Sequence, residues 1–239
     1  MLLKQKTAII TGCNRGIGKA TLEVFAENGA DIFACVRKES DEFNALITKL
    51  AEKTGVNIIP VYFDFAESEQ VKAGIKTIIS FKKQIDILVN NAGVASGSLF
   101  QMTSLQDVKN IFEINFFSQL LFTQGISRYM SRFKTGSIIN IGSTAGFIGS
   151  AGMTSYGSSK AAFMFSTKTM ATELGVMNIR VNAIAPSITK TDMSDQMEEI
   201  IRNKHLETSA LKRTAEPIEV ANVALFLASD LSSLDRKST

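Results

Sequence analysis

A chain of 239 residues with 45% hydrophobic side chains can bury one sizeable core, and it is expected to form a single unit over 1–239. Its 26 Lys and Arg against 23 Asp and Glu leave a net charge of +3, spread along the chain, which makes no case for nucleic acid. No signal-peptide pattern opens the sequence and no apolar stretch reaches the length of a membrane span, so no membrane is expected and the location is read as cytoplasmic. Only Cys13 and Cys35 are present, without C-x-x-C spacing, and no metal site is expected. The single histidine, His205, lies in a polar helical stretch and reads as a surface residue.

In chain order, the first strand runs over 7–11 and gives way to Gly12, Gly16 and Gly18, followed by a helical apolar pattern through Leu22 and Phe25. A strand, a glycine turn and a helix N-terminus together cradle a dinucleotide pyrophosphate on backbone N–H groups. Alone the pattern is a weak signal, because glycine turns between strands and helices are common. Cys13, inside that turn, reads as a small filler. The second strand, 31–36, ends in Val36 and continues with Arg37; the third, 57–63, is followed by Asp64 and Phe65. The fourth, 86–90, leads into Asn90, Asn91, Ala92 and Gly93.

A long helical segment from Leu105 to Phe133 carries Asn115 and a run of aromatic and aliphatic side chains: Phe112, Phe116, Phe117, Leu120, Leu121 and Phe122. After the strand at 136–141 comes Ser143, then a helix with Tyr156 and Lys160, Phe163, Met164 and Phe165. Four residues make one helical turn, so the phenol and the ammonium share a face, and a cation beside a phenol lowers its pKa from about 10. By itself such a pair is most often an exposed helix face. The last strand, 179–184, precedes Pro186, and the polar helical stretch between Ser194 and Thr214 fits a mobile lid near 187–214. Strands alternating with helices give a doubly wound parallel sheet, which gathers Gly12, Asn91, Ser143 and Pro186 at the carboxyl ends of its strands.

Taken in this order, the motifs resemble the short-chain dehydrogenase/reductase family: TGxxxGxG, NNAG, a helix asparagine, a serine, YxxxK and a Pro-Gly segment. The match spans Thr7 to Asp230. Within the family the chain is most similar to the 3-oxoacyl-(acyl-carrier-protein) reductases, through TGCNRGIGKA, ILVNNAG, INIGS and APSITKTDM. The resemblance implies a Rossmann-type three-layer α/β/α fold and reduction of a ketone by a nicotinamide cofactor. It makes Asn115, Ser143, Tyr156 and Lys160 the catalytic set: Tyr156 as proton donor, Ser143 holding the carbonyl, Lys160 lowering the Tyr156 pKa and binding the nicotinamide ribose, Asn115 holding a water between Lys160 and solvent. The cofactor would meet Gly12, Asn14, Arg15, Gly16, Ile17, Gly18, Arg37, Asp64, Phe65, Asn91, Ala92, Gly93, Tyr156, Lys160, Pro186, Thr189 and Thr191.

Charge selects the cofactor. An acidic residue closing the second strand serves the ribose of NAD, whereas a 2′-phosphate needs cations. Arg15 and Arg37 favour NADP(H), although Glu39 could serve NAD. The substrate is expected to be a small molecule or carried by acyl-carrier protein, in a site lined by Ala95, Phe147, Met153 and Ile188, with Arg128, Arg132, Lys212 and Arg213 as candidate carrier contacts. A sugar or secondary-metabolite ketone, or a catalytically weak NADP-binding module, are the alternatives. A homodimer or homotetramer is expected through the aromatic helices. Two features depart from the family: Ser187 stands where Gly follows Pro, straining the loop if that position needs positive φ, and the sequence reads LDRKST where a last strand is usual.

Overall fold

The computed structural model describes residues 1–195, 206–207 and 209–235; His205 and the middle of the expected lid, 196–205, lie outside them. Six strands, β1 (Thr7–Thr11), β2 (Asp31–Val36), β3 (Ile58–Tyr62), β4 (Ile87–Asn90), β5 (Gly136–Ile141) and β6 (Ile179–Ile184), lie within one residue of the segments expected from their apolar runs. They pair in parallel in the order β3-β2-β1-β4-β5-β6, a doubly wound sheet. Strand order reverses between β1 and β4, which opens the ligand crevice above the carboxyl ends of these two strands.

Both faces of the sheet are covered, and the two-residue period of a strand sends alternate side chains to each. Ala8 and Ile10 of β1 join a core with Leu22 and Phe25 of α1 (Gly16–Glu27), Phe43 and Ile47 of α2 (Asp41–Thr54) and Leu227 of a C-terminal helix, Pro217–Ala228. Ile9, between them, faces a second core with Val71 and Ile78 of α3 (Ser68–Ser80) and Phe122 and Ile126 of a helix over Ser118–Met130.

The segment expected as one long helix is helical from Leu105 to Met130, interrupted by a π turn. Ser104 caps α4 (Leu105–Phe112) by accepting a 3.0 Å bond from the Asp107 N–H; a π-helical turn over Glu113–Phe117 follows, and α5 (Ser118–Met130) continues beyond it. Then come α6 (Thr154–Leu174), the short α7 (Asp192–Asp195) and α8 (Pro217–Ala228). Of the aromatic run, Phe122 and Phe163 are fully buried, whereas Phe117 and Phe165 stand 53% and 72% exposed. No described helix is long and apolar enough to cross a membrane.

Candidate active site

At the end of β1 the chain turns on Gly12 (φ +68°) and Gly16 (φ +54°), the left-handed region that glycine enters without a Cβ clash. The turn is too tight for side chains at its crossing: a Cβ on Gly18 would run into the Gly12 carbonyl oxygen and Asn91 Nδ2. Arg15 is the N-cap of α1 in extended conformation, offers no side-chain bond to the first turn, and that turn holds no acidic residue. Its backbone N–H groups are therefore suited to an anion. Asn14 and Arg15 are exposed beside this turn and Ile17 is half-buried.

The NNAG segment is stitched to the same turn. Asn91 Nδ2 donates to the carbonyls of Thr11 (2.9 Å) and Gly12 (3.1 Å), and Thr11 Oγ1 accepts from the N–H groups of Asn91 and Ala92, both at 3.0 Å. Thr11, which stands first in the TG pair, thus belongs to the site although its sequence context marks it only as the end of a strand. Beyond this segment the Asn115 amide clasps the backbone of Val94, accepting from its N–H at 2.9 Å and donating to its carbonyl at 2.8 Å, and reaches Ser159 Oγ at 3.2 Å. Ser159 Oγ in turn donates to the Tyr156 carbonyl at 2.7 Å. A Cβ on Gly93 would lie 3.1 Å from Asn115 Oδ1 and 3.5 Å from Lys160 Nζ, so this glycine fills the space between the two polar groups. Gln119, likewise unmarked by its sequence context, donates to the carbonyls of Ala92 (3.0 Å) and Ile114 (3.3 Å), tying the NNAG segment to the π turn.

Ser143 follows β5 and Tyr156 and Lys160 project from α6. Ser143 Oγ accepts from the Ala145 N–H at 3.1 Å, and its hydroxyl stands near enough to the Tyr156 phenol to act on it electrostatically. Lys160 Nζ donates to the Ile141 carbonyl at 2.8 Å and lies 6.0 Å from the centre of the Tyr156 ring. Here the expected electrostatics is corrected. Burial pushes the Tyr156 phenol above its ordinary range, with the nearby Ser143 hydroxyl a smaller opposing effect, and the same burial pulls Lys160 down to about 8. In a dry site the neutral form of each group gains more than the pair gains by charging.

Around the rim, Arg37 is exposed past the end of β2, and Glu39, the rival for an NAD ribose, accepts from Asn44 Nδ2 at 2.9 Å. Asp64 Oδ1 accepts from the Ala66 N–H at 2.9 Å, and the Phe65 ring is buried against Phe63 and Phe122. The Pro186 carbonyl accepts from the Thr144 N–H at 3.0 Å. Ser187 has no positive φ, so the strain anticipated there does not arise. Thr189 is buried and pairs with Ala215, while the Thr191 methyl lies against the glycine turn, 3.1 Å from where a Gly16 Cβ would be.

Ala95, Met153 and Ile188 are half-buried and Phe147 is 60% exposed. Of the basic candidates, Arg213 is engaged by Glu219 through two bonds of 2.7 and 2.6 Å, whereas Arg128, Arg132 and Lys212 are exposed. Cys13 and Cys35 are both buried, and burial raises their thiols well out of the reactive range.

The short chain dehydrogenase family model matches residues 6–201. Over 231 residues the chain is 36% identical to a 3-oxoacyl-(acyl-carrier-protein) reductase of Aquifex aeolicus, spanning 97% of this chain and 93% of that protein. The reductase of the same name from Thermotoga maritima is 38% identical over 234 residues, 98% of this chain and 94% of the other. Among solved structures, a 7α-hydroxysteroid dehydrogenase complexed with NADH and 7-oxo glycochenodeoxycholic acid superposes with a TM-score of 0.91 at 33% identity, covering 99% of this chain and 92% of that one. With the parallel sheet, the glycine turn and the Ser143, Tyr156 and Lys160 cluster, these likenesses establish that the chain belongs to the short-chain dehydrogenase family of oxidoreductases.

Proposed function

We propose that the protein is an NADPH-dependent reductase of 3-oxoacyl thioesters held on acyl-carrier protein, working in the cytoplasm as a homodimer or homotetramer. The observation that carries this reading is the convergence of Ser143, Tyr156 and Lys160 next to Gly93, on the same rim as an anion-ready glycine turn. The relatives' names supply the substrate class. The glycine turn, the carbonyl end of β4 and Thr191 fit a dinucleotide, because the positions a ligand backbone would approach carry no side chain or a small one. Bound NADPH supplies the hydride that reduces the carbonyl carbon. Ser143 orients the carbonyl oxygen, and Tyr156, kept protonated by burial, gives it a proton. Lys160, near 8, is matched to return a proton to Tyr156 at neutral pH, while Asn115, its amide spent on Val94 and Ser159, holds the floor of the site in place. Arg15 and Arg37 hold the 2′-phosphate, and the engagement of Glu39 by Asn44 favours this over NAD.

NADPH oxidation with a short 3-oxoacyl thioester tests the reading, with wild type compared with Tyr156→Phe and repeated with NADH. Turnover should prefer NADPH and fall at least about 100-fold in the variant, the lower end of what one acid–base group contributes. Absence of turnover in a chain that binds NADPH would move the activity to a different ketone.

A further inference from the structure

We propose that Asp192 tunes how strongly this chain prefers a 2′-phosphorylated nicotinamide nucleotide, by competing with that phosphate for the Arg15 guanidinium. The inference rests on the reading above that Arg15 serves the phosphate. Arg15 Nη1 and Asp192 Oδ2 form an ion pair at 3.2 Å across 177 positions of sequence. The pair is no accident of two long side chains meeting at a surface, because the backbone brings the residues together: the methyl of the preceding Thr191 rests against Gly16, so this segment lies over the glycine turn. Thr191 is itself fixed, its N–H donating to Ser194 Oγ at 3.0 Å.

Both partners are about two-thirds exposed, at 65% and 64%. Such a pair is weak, and a phosphate dianion able to take two guanidinium bonds at once displaces the carboxylate. Displacement still costs what the pair was worth, and the carboxylate then stands near a second anion. Arg37 forms no ion pair among the described residues, so only one of the two cations is under this control. NADH has no group that must evict Asp192 from Arg15, and its binding is indifferent to this competition.

Fluorescence titration of the full chain with NADPH and with NADH tests the inference in wild type, Asp192→Asn, Arg15→Ala and the double variant, once equal thermal unfolding shows all four are folded. Asp192→Asn should tighten NADPH about 1.5- to 5-fold, the range of an exposed pair, and leave NADH unchanged. Arg15→Ala should weaken NADPH about 10-fold or more and abolish the effect of Asp192→Asn, and the gain should shrink as salt rises. Weaker NADPH binding in Asp192→Asn would mean that Asp192 positions Arg15 for the phosphate and would overturn the competition. Equal tightening of both nucleotides, or no change in either, would overturn it too. A wild type that binds NADH as tightly as NADPH, with Arg15→Ala altering neither, would sink the reading of Arg15 itself and this inference with it.

Discussion

Lys160 carries an ammonium with 5% of its surface exposed, and its pKa of about 8 leaves it charged at neutral pH at a cost to folding. The sign of the linkage follows. Unfolded, the lysine titrates near 10.5; folded, near 8, so between these values the unfolded chain binds more protons and stability rises with pH. Below 8 the cost is present in full. Tyr156, whose phenol is raised by burial, favours the folded state below about 10 and loses that contribution only at higher pH, outside the same window. Replacing Lys160 by Met removes one titration and leaves the rest. The Tm of wild type relative to Lys160→Met is expected to climb between about pH 8 and pH 10, followed by calorimetry; a constant difference would show that Lys160 keeps its proton as easily inside the fold as outside. The four-residue spacing put phenol and ammonium on one face of α6, but not the direction of their shifts. That depends on how dry the space under Ile141 is, which only the packed chain determines.

At the scale of elements, the junction of β1 with α1 is the least forgiving part of the site. A methyl at Gly18 meets two groups that cannot retreat, the Gly12 carbonyl in the turn and the Asn91 amide already bonded to Thr11 and Gly12. Gly18→Ala is therefore expected to cost about 3 kcal/mol, at the upper end of overpacking, and to lower Tm by roughly 6–12 °C for a chain of this size. Gly149→Ala, with open space around it, serves as the control that should change Tm little. The π turn is the element the sequence concealed. Its residues, EINFF, include no glycine or proline, so no breaker residue marks where the extra residue enters the helix. Its effect is local but functional in kind, since it brings Asn115 to Val94 and lets Gln119 take up the Ile114 carbonyl.

Across the whole molecule, the sheet was legible because the central strands β1, β2 and β4 are apolar runs buried on both faces, and the order of the motifs placed the site at the carboxyl ends of β1, β4 and β5. Contacts between distant polar residues, such as Arg15 with Asp192, left no periodic trace. The aromatic helices fall between the two cases. Their sequence shows a surplus of apolar surface, and the fold divides it: Phe122 and Phe163 serve the core, whereas Phe165 on α6 and Phe117 beside α5 are exposed, the Phe117 ring tilted against Phe112 and Phe116. Covering one phenyl ring is worth about 1.5–3 kcal/mol, and a twofold interface counts each ring twice. If a second copy covers this face, Phe117→Asp with Phe165→Asp should convert the assembly to monomers in sedimentation equilibrium with unchanged far-UV circular dichroism. Phe163→Ala should act oppositely, lowering Tm by emptying the core while the subunits stay associated. An assembly that survives both outward substitutions must be held by another face.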